Sequence, residues 1–415
     1  MEKAEFYRHA RSDRDGPMHG VSVVEATTAW AGPMMGAILG DLGCDVIRVD
    51  LPGLQSSTWP PFLPPEPEGV PDGAPVALSH QTVNRNKRSL SLDLRQPQGC
   101  EIFLKLVAQA DIVLENFKPG TMAGWGVGYE QCKAVKPDIV YVSCSGWGQF
   151  GPWSDRAGYD PAAQAASGWM GLNGTPTDGP TKAPTFLADD LAGMHGAMGA
   201  LAALHHRNAT GEGQHVDVSL LDSLLFQSNG LLTLGAMGAE VPRLGSEVAA
   251  SCPTNSYPCQ DGHLYLAMIL DRHWQVLCGL MNRPDLAHAP GYATNLERLA
   301  NRDAVNAVVG QWCAEGLVEA RLAALHQAGL AAARINSFKE AAQLEHLQER
   351  DMLQPTVVST GRTVPVTGPA VKFARTPTRV RRPAPDSGQH TEEILDLIGA
   401  TEAQRAELRR AGIIE

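Results

Sequence analysis

The sequence lacks several features that would mark a common class of protein. It has no Cys-x-x-Cys pair among its eight cysteines and no run of 18 or more apolar residues. The first absence argues against zinc ribbons and thioredoxin-like redox sites, and the second argues against a membrane-spanning helix. The charged N-terminal segment has no apolar stretch of the secretory kind. These features predict a cytoplasmic protein with reduced thiols and no membrane partner.

Basic charge is also scarce. The 415 residues include 45 Asp and Glu against 34 Lys and Arg, which gives a net charge of −11. Because nucleic-acid-binding proteins usually carry a basic surplus, we expect no nucleic-acid partner. This balance leaves room for a local basic pocket that binds an anionic ligand. With 43% apolar and 19% charged residues, the chain is long enough to bury a large core and to form two domains.

Common catalytic motifs are missing as well. The sequence contains no H-E-x-x-H, no P-loop and no G-x-S-x-G. Its 13 histidines do not show metal-ligand spacing, so we expect no metal. Residues 146–151 match G-x-G-x-x-G after a predicted strand, but Pro152 and Trp153 follow where a dinucleotide site requires a helix. We therefore reject a dehydrogenase interpretation.

The first part of the chain alternates between strand and helix patterns. Apolar periodicity predicts strands at 21–25, 45–50, 111–115 and 138–143. Helices are predicted between them, at 33–42 and 97–109. Such alternation favours a parallel sheet with helices on both faces. Residues 52–75 contain eight prolines and are predicted to form a long loop.

Two adjacent carboxylates precede a helix rich in Gly and Ala, predicted at 191–207. Asp189 and Asp190 follow an apolar segment at 183–188. An aspartate in this position is typical of a helix cap. A carboxylate at a helix start could instead be a nucleophile, with nearby backbone N–H groups as oxyanion donors. The residue types alone leave both interpretations open.

Short motifs occur in a fixed order over nearly the whole chain. They are Gly20-Val-Ser-Val-Val-Glu, Trp30-Ala-Gly-Pro, Asn86-Lys-Arg-Ser-Leu-Ser-Leu-Asp-Leu, Glu115-Asn-Phe-Lys-Pro-Gly, Gly158-Tyr-Asp, Asp189-Asp-Leu-Ala-Gly-Met-His and Gly388-Gln-His-Thr-Glu-Glu-Ile-Leu. Their order and spacing resemble those of class III CoA-transferases, the family of formyl-CoA transferase and carnitine CoA-transferase. The resemblance implies an enzyme that moves coenzyme A from an acyl-CoA donor, succinyl-CoA being a candidate, to a carboxylic acid acceptor, without a metal.

The resemblance also implies the site residues. In the family, the nucleophile is an aspartate four residues before a glycine, which corresponds here to Asp189 and Gly193. Asp189 would form a mixed anhydride and then an aspartyl-CoA thioester. The implied CoA contacts are Trp30, Ala31, Leu92, Asp93, Leu94, Arg95, Asn116, Phe117, Lys118, Ala157, Gly158, Tyr159 and Asp160. Nearby basic residues are expected to bind the phosphates of CoA, namely Arg85, Lys87, Arg88, Arg95 and Lys118.

The sequence departs from the family pattern at three places. Trp30 stands where formyl-CoA transferase has a glutamine, which disfavours oxalate or formate as substrates. Gly124 stands where that enzyme has a cofactor-contacting arginine, so the adenine or the phosphates must be bound differently. The glycine-rich loop of the family's small domain has no clear counterpart, and Gly245-Ser-Glu is only a faint match.

The resemblance further implies a fold and an assembly. The expected fold is α/β, with a Rossmann-like large domain built from both chain ends (residues 1–225 and 335–415). A smaller α+β domain is expected at residues 226–334. Family members form interlocked dimers, so the resemblance implies a homodimer or a pair with a paralogous subunit. In such a dimer, folding and assembly are inseparable.

Two other functions are compatible with parts of this pattern. An α-methylacyl-CoA racemase would use a histidine in the Gly-His-Asp segment as an acid or base, whereas this chain has Tyr159 there. A phenol with a pKa near 10 is a poor substitute for an imidazole with a pKa near 6.5. The chain could also be a CoA-binding subunit of a heteromeric transferase, although the presence of Asp189 argues against a non-catalytic subunit.

Overall fold

A computed structural model describes residues 1–53 and 76–415 of the chain. The predicted proline-rich loop therefore lies outside the described residues from position 54 to position 75. The described residues form two compact units. The first unit contains residues 1–169, 182–237 and 345–415, and the second contains residues 170–181 and 238–344.

The first unit is built on a sheet of six parallel strands. In the described part of the chain these are β1 (Ser22–Ala26), β2 (Asp45–Asp50), β3 (Lys87–Ser91), β4 (Ile112–Glu115), β5 (Val140–Ser145) and β6 (His215–Ser219). Their spatial order is β3-β2-β1-β4-β5-β6, so the order reverses between β1 and β4. This is the strand order of doubly wound sheets, in which ligands bind at the reversal point. The α/β prediction is confirmed.

Helices of the first unit precede, connect or follow these strands. Those described up to residue 237 are α1 (Lys3–Phe6), α2 (Ala31–Asp41), α3 (Leu78–Asn84), α4 (Pro97–Val107), α5 (Thr121–Trp125), α6 (Tyr129–Val135), α7 (Asp160–Ala166), α9 (Leu187–Thr210), α10 (Leu220–Phe226) and α11 (Leu231–Ala236). Helix α8 (Trp169–Leu172) begins at the last residue before the chain enters the second unit.

The sheet separates two hydrophobic cores because successive strand residues face opposite sides. On β1, Val24 packs into a core with residues of α4 and α6, whereas Val23 packs with residues of α2 and α9. The chain's C-terminal part belongs to the first of these cores, through Ile394 and Leu408. Its elements are α17 (Glu345–Glu349), β10 (Leu353–Val357), β11 (Thr363–Thr367), α18 (Thr391–Leu397) and α19 (Glu402–Arg410).

The second unit has its own core around a three-stranded antiparallel sheet, in which β8 (Gly262–Ala267) lies between β7 (Asn255–Cys259) and β9 (Ala331–Arg334). Trp274 is fully buried in this core. The described elements of this unit are β7 (Asn255–Cys259), β8 (Gly262–Ala267), α12 (Asp271–Leu280), a 3₁₀ helix (Pro284–Ala287), α13 (Asn295–Ala300), α14 (Arg302–Ala314), α15 (Val318–Gln327), β9 (Ala331–Arg334) and α16 (Phe338–Ala341).

All eight cysteines are free thiols, as the sequence predicts. Across residues 1–53 and 76–415, no helix combines the length and the hydropathy needed to cross a membrane.

Candidate active site

A cavity of about 290 Å³ opens in the first unit at the carboxyl ends of β1, β4, β5 and β6. It includes the point where the strand order reverses, which is where doubly wound sheets bind ligands. Its walls come from the segments that follow these strands, and they include Thr28 after β1, Asn116 after β4, Trp147 after β5 and Leu220 after β6. Asp189 on α9 also lines the cavity.

The loop between β1 and α2 is fixed by Asn116. The Asn116 amide accepts a hydrogen bond from the backbone N–H of Thr28 and donates one to the carbonyl of the same residue, both at 2.8 Å. Gly32 allows this contact, because a Cβ atom there would lie 2.6 Å from Cγ of Asn116. In the same loop Ala29 has a φ of +58°, a conformation that non-glycine residues rarely adopt. The wall of the cavity is therefore held in one backbone conformation.

The opposite wall depends on a close crossing of two backbones at Gly146 and Gly158. A Cβ atom on Gly158 would lie 2.7 Å from Cα of Gly146 and 2.8 Å from Nε1 of Trp147. The Trp147 indole N–H donates to the carbonyl of Ala157 at 3.1 Å. No helix begins between this crossing and Asp160, so the G-x-G-x-x-G segment builds the cavity wall and does not open a dinucleotide-binding helix.

The start of α9 is capped by Asp160. The N-cap residue of α9 is Phe186, whose side chain makes no capping bond. Instead, the Asp160 carboxylate accepts hydrogen bonds from the backbone N–H of Ala188 and from the side chain of Gln164, each at 2.7 Å. The interpretation of Asp189 as a helix cap is therefore wrong. This role belongs to a carboxylate from a distant segment.

The Asp190 carboxyl group also has a hydrogen-bond partner. Its Oδ1 accepts a hydrogen bond of 2.7 Å from the indole N–H of Trp30. The Trp30 ring is buried and packs against Phe186, with 5.2 Å between the ring centroids. The tryptophan that stands where formyl-CoA transferase has a glutamine therefore holds Asp190 in place by this hydrogen bond.

Asp189 differs from both of these neighbours. In the described residues its carboxyl group has no hydrogen-bond partner, although it lines the cavity. Burial, followed by the nearby carboxyl groups of Asp160 and Asp190, raises the pKa of Asp189 to about 8. A group with these properties is typical of a functional carboxylate.

The glycines of α9 bring this helix against α2. A Cβ atom at Gly193 would lie 2.8 Å from Cγ of Met34, and one at Gly196 would lie 2.1 Å from the sulfur of Met35. Tight helix packing therefore explains the small residues of α9. Gly193 also matches the glycine of the family motif, so its packing helps to place Asp189 at the cavity.

The structure brings most of the implied CoA contacts to this cavity. Those that line it are Trp30, Ala31, Asn116, Phe117, Lys118, Ala157, Gly158 and Tyr159. Leu92–Arg95 do not line it, because they follow β3, an edge strand that β2 separates from β1. Leu92 and Leu94 are buried in the core, and Arg95 pairs with Asp93 at 2.8 Å.

Three of the expected phosphate-binding residues lie in ion pairs inside the first unit. Lys87 is fully buried beside Glu25 at 2.8 Å, Arg85 pairs with Asp41 at 2.6 Å, and Arg88 binds Asp45 and Glu393. Their charges are neutralised by carboxylates, which corrects the expectation that they bind CoA. Lys118 is exposed and lines the cavity, and no carboxylate partner for it occurs among the described residues.

Sequence reasoning missed Arg156, an exposed residue that lines the cavity. The signal in the sequence that could have found it is its position directly before Ala157-Gly-Tyr-Asp.

No cluster of three or more His, Cys, Asp or Glu side chains suited to a metal ion occurs in the part of the chain that the structure describes.

The fold and the cavity together define an α/β protein with a desolvated carboxyl group at the ligand-binding edge of a doubly wound sheet. A family model described as CoA-transferase family III matches residues 18–391. The chain belongs to this family and is an enzyme of the CoA-transferase class.

Similar proteins support this assignment. The succinate–glutarate CoA-transferase of Agrobacterium fabrum is 33% identical over 387 residues, covering 92% of this chain and 96% of that protein. The succinyl-CoA–L-malate CoA-transferase beta subunit of Chloroflexus aurantiacus is 31% identical, covering 96% and 98%. A crystal structure of a CaiB/BaiF family protein from Brucella suis has a TM-score of 0.79 at 32% identity, covering 93% of this chain and all of that one.

Proposed function

We propose that this enzyme transfers CoA from succinyl-CoA to a carboxylic acid, with Asp189 as the covalent nucleophile. The observation that carries the proposal is the contrast among three neighbouring carboxyl groups. Asp160 and Asp190 each accept hydrogen bonds, whereas Asp189 lines the cavity without a hydrogen-bond partner in the described residues. The choice of donor follows the name of the relative from Chloroflexus aurantiacus, a succinyl-CoA–L-malate CoA-transferase beta subunit.

The reaction proceeds through covalent half-steps at Asp189. Its carboxylate attacks the thioester carbonyl of the donor, the C–S bond breaks, and a mixed anhydride and CoA thiolate form. The thiolate then attacks Cγ of Asp189, which expels the donor acid and leaves an aspartyl-CoA thioester. The acceptor carboxylate attacks the same Cγ and releases the thiolate, which attacks the new acyl carbon and frees Asp189. Each step exchanges one acyl bond for another, so no ATP is consumed.

The cavity suits the reactive end of the substrate. Its volume of about 290 Å³ lies near the lower limit for small-molecule pockets, enough for an acyl group and the thioester. Lys118 supplies positive charge at the wall for the phosphates of CoA, and Asn116 holds the loop on which Trp30 and Ala31 contact the thioester end. Asp160 acts here by capping α9.

The assembly and location belong to the same proposal. We propose a cytoplasmic homodimer of interlocked chains, and a pair with a paralogous subunit is the alternative, since one relative is named a beta subunit. Light scattering of the purified chain, alone and with an added paralogue, distinguishes the two.

The activity is tested by supplying succinyl-CoA together with a panel of carboxylic acids and identifying the acyl-CoA products by mass spectrometry. We expect at least one acid to yield its CoA ester, with release of an equal amount of succinate. If no acid of the panel is converted with any acyl-CoA donor, the proposed activity is wrong.

The rate is expected to rise with pH. Because the pKa of Asp189 is raised to about 8, the attacking carboxylate is the minor form at neutral pH. kcat/KM for the donor should therefore increase about tenfold per pH unit below pH 8 and level off above it. Asp190→Asn keeps an oxygen acceptor for Trp30 but removes one nearby charge, so it should move the midpoint to lower pH. A profile that is flat from pH 6 to pH 9 would contradict this role of Asp189.

Tyr159 is expected to distinguish a transferase from a racemase. It lines the cavity and is 70% exposed, so its ring can pack on the thioester arm while its hydroxyl binds a substrate carboxylate. Tyr159→Phe should lower kcat/KM by about 5- to 150-fold, the cost of one buried hydrogen bond.

The matching control uses a 2-methylacyl-CoA in deuterium oxide. A transferase should take up no deuterium at the α-carbon above the uncatalysed rate, yet should exchange CoA once an acid is added. Rapid deuterium uptake that depends on Tyr159 or Asp189, without any exchange, would reverse the choice in favour of a racemase.

A further inference from the structure

One wall of the cavity carries a guanidinium group that has no carboxylate partner among the described residues. In the described residues three charged side chains line it, namely Asp189, Lys118 and Arg156. Arg156 is exposed, and no carboxylate of the described residues lies within ion-pair distance of it. An arginine that lacks a carboxylate partner and lines the same cavity as a reactive carboxyl group is available to bind an anion from solution.

The surrounding loop holds Arg156 in place. Its guanidinium carbon lies 4.8 Å from the ring centroid of Trp153, and Trp153 meets Trp147 edge-on at 5.3 Å. The backbone N–H of Arg156 donates to the carbonyl of Trp153 at 2.9 Å, and the Trp147 indole is bonded to Ala157. Stacking on an aromatic face leaves the edge of the guanidinium free for hydrogen bonds. The side chain is thus oriented before a substrate arrives.

The carboxyl groups around Asp189 favour a cation in the cavity when the substrate is itself an anion. Asp160 and Asp190 do not line the cavity, but both lie close enough to Asp189 to raise its pKa, so negative charge gathers behind this part of the wall. A substrate with a second carboxylate would be repelled there unless a cation offset its charge. The relatives are named for succinate, glutarate and L-malate, which are all dicarboxylic acids.

We propose that Arg156 binds the second carboxylate of dicarboxylic substrates and thereby determines their selection. The proposal rests on the function proposed above and assigns a specificity-determining residue to it. The planar fork of arginine matches the two oxygens of a carboxylate, whereas Lys118 remains as a point charge for phosphate. Because donor and acceptor occupy the site in turn, one arginine serves both the succinyl group and the incoming acid.

The test is a competition between glutaric acid and pentanoic acid, which have the same chain length. Both are supplied with succinyl-CoA in one reaction, and the ratio of glutaryl-CoA to pentanoyl-CoA is measured by mass spectrometry. Both acids draw on the same aspartyl-CoA intermediate, so effects on the donor half-reaction cancel from the ratio. The variants are Arg156→Gln and Arg156→Lys, with Arg410→Gln on the exposed face of α19 as a charge-matched control.

We expect Arg156→Gln to lower the ratio by about 10- to 100-fold, the usual effect of a charged hydrogen bond. Arg156→Lys should lower it less, and Arg410→Gln should leave it unchanged. Calorimetry with free CoA should give the wild-type affinity for Arg156→Gln and a weaker affinity for Lys118→Ala.

An unchanged product ratio in Arg156→Gln would overturn the assignment. The assignment would also be overturned if Arg156→Gln bound CoA more weakly and converted both acids more slowly by the same factor. Arg156 would then be a contact of CoA. If the wild type converts no acid of the panel with any acyl-CoA donor, the proposed function fails and this assignment fails with it.

Discussion

Replacing Asp189 with alanine or asparagine is expected to lower CoA transfer by at least about 1,000-fold, because no other group can form the anhydride and the thioester. Asp190 is adjacent in sequence but is bonded to Trp30, so it should not substitute. The measurement is steady-state exchange between succinyl-CoA and an active acid. Asp190→Asn is the matched control, and we expect it to retain transfer.

The covalent intermediate offers a direct observation of the same residue. Hydroxylamine attacks an aspartyl-CoA thioester, releases CoA and leaves a hydroxamate on the protein. Peptide mass spectrometry after incubation with succinyl-CoA and hydroxylamine should find this adduct at Asp189 in the wild type and in Asp190→Asn. An adduct at another residue, or near-normal turnover of Asp189→Ala, would remove Asp189 from the mechanism.

The folded state of the Asp189→Asn variant is checked by its thermal stability. The pKa of Asp189 is raised in the folded protein to about 8 from an ordinary value of 3.8, so the folded state holds a proton that the unfolded state releases. Wild-type stability therefore falls as pH rises from about 4 to about 8. Asparagine does not titrate, so its Tm should exceed the wild-type Tm by more at pH 8 than at pH 5.

The sheet could be predicted only where its strands are apolar. The strands at β1, β2, β4 and β5 were predicted within two residues, since their Val and Ile residues face the two cores. β3 was missed because its sequence, Lys-Arg-Ser-Leu-Ser, is mostly polar, although every residue of it is buried. The partners that neutralise its charges come from distant elements, namely Glu25 on β1, Asp45 on β2 and Glu393 on α18. Such long-range pairing is invisible to a local hydrophobic pattern.

For the site, too, the sequence predicted the residues that lie in motifs but not the contacts between distant segments. The order of motifs pointed to Asp189 and to the segments after β4 and β5, which line the cavity. The helix cap could not be assigned from sequence, because Asp160 lies 28 positions before the N–H group that it binds. Nor could sequence tell that Leu92 and Leu94 face the core. Both facts depend on which strands are neighbours.

The second large effect concerns Lys87, which the sequence suggested as a phosphate ligand. Lys87→Met is expected to destabilise the protein by about 3–5 kcal/mol, because it leaves the Glu25 carboxylate buried without its counter-charge. The Lys87 ammonium is fully buried and donates to Oε1 of Glu25 at 2.8 Å, to the carbonyl of Pro33 at 2.8 Å and to Oδ1 of Asn84 at 3.1 Å. The loss in the free energy of unfolding is measured by denaturant unfolding of the variant and the wild type.

A second variant separates the ion pair from a role in binding. Lys87→Met combined with Glu25→Gln removes both charges, so it should recover most of the lost stability. The space around the pair is tight, since a Cβ atom at Gly36 would lie 1.7 Å from Oε2 of Glu25, and a full recovery is therefore not expected. Lys87 does not line the cavity, so the folded fraction of both variants should bind CoA with wild-type affinity. A stable Lys87→Met protein with weakened CoA binding would instead restore Lys87 as a ligand of CoA, and the buried ion pair would then be a minor contribution to folding.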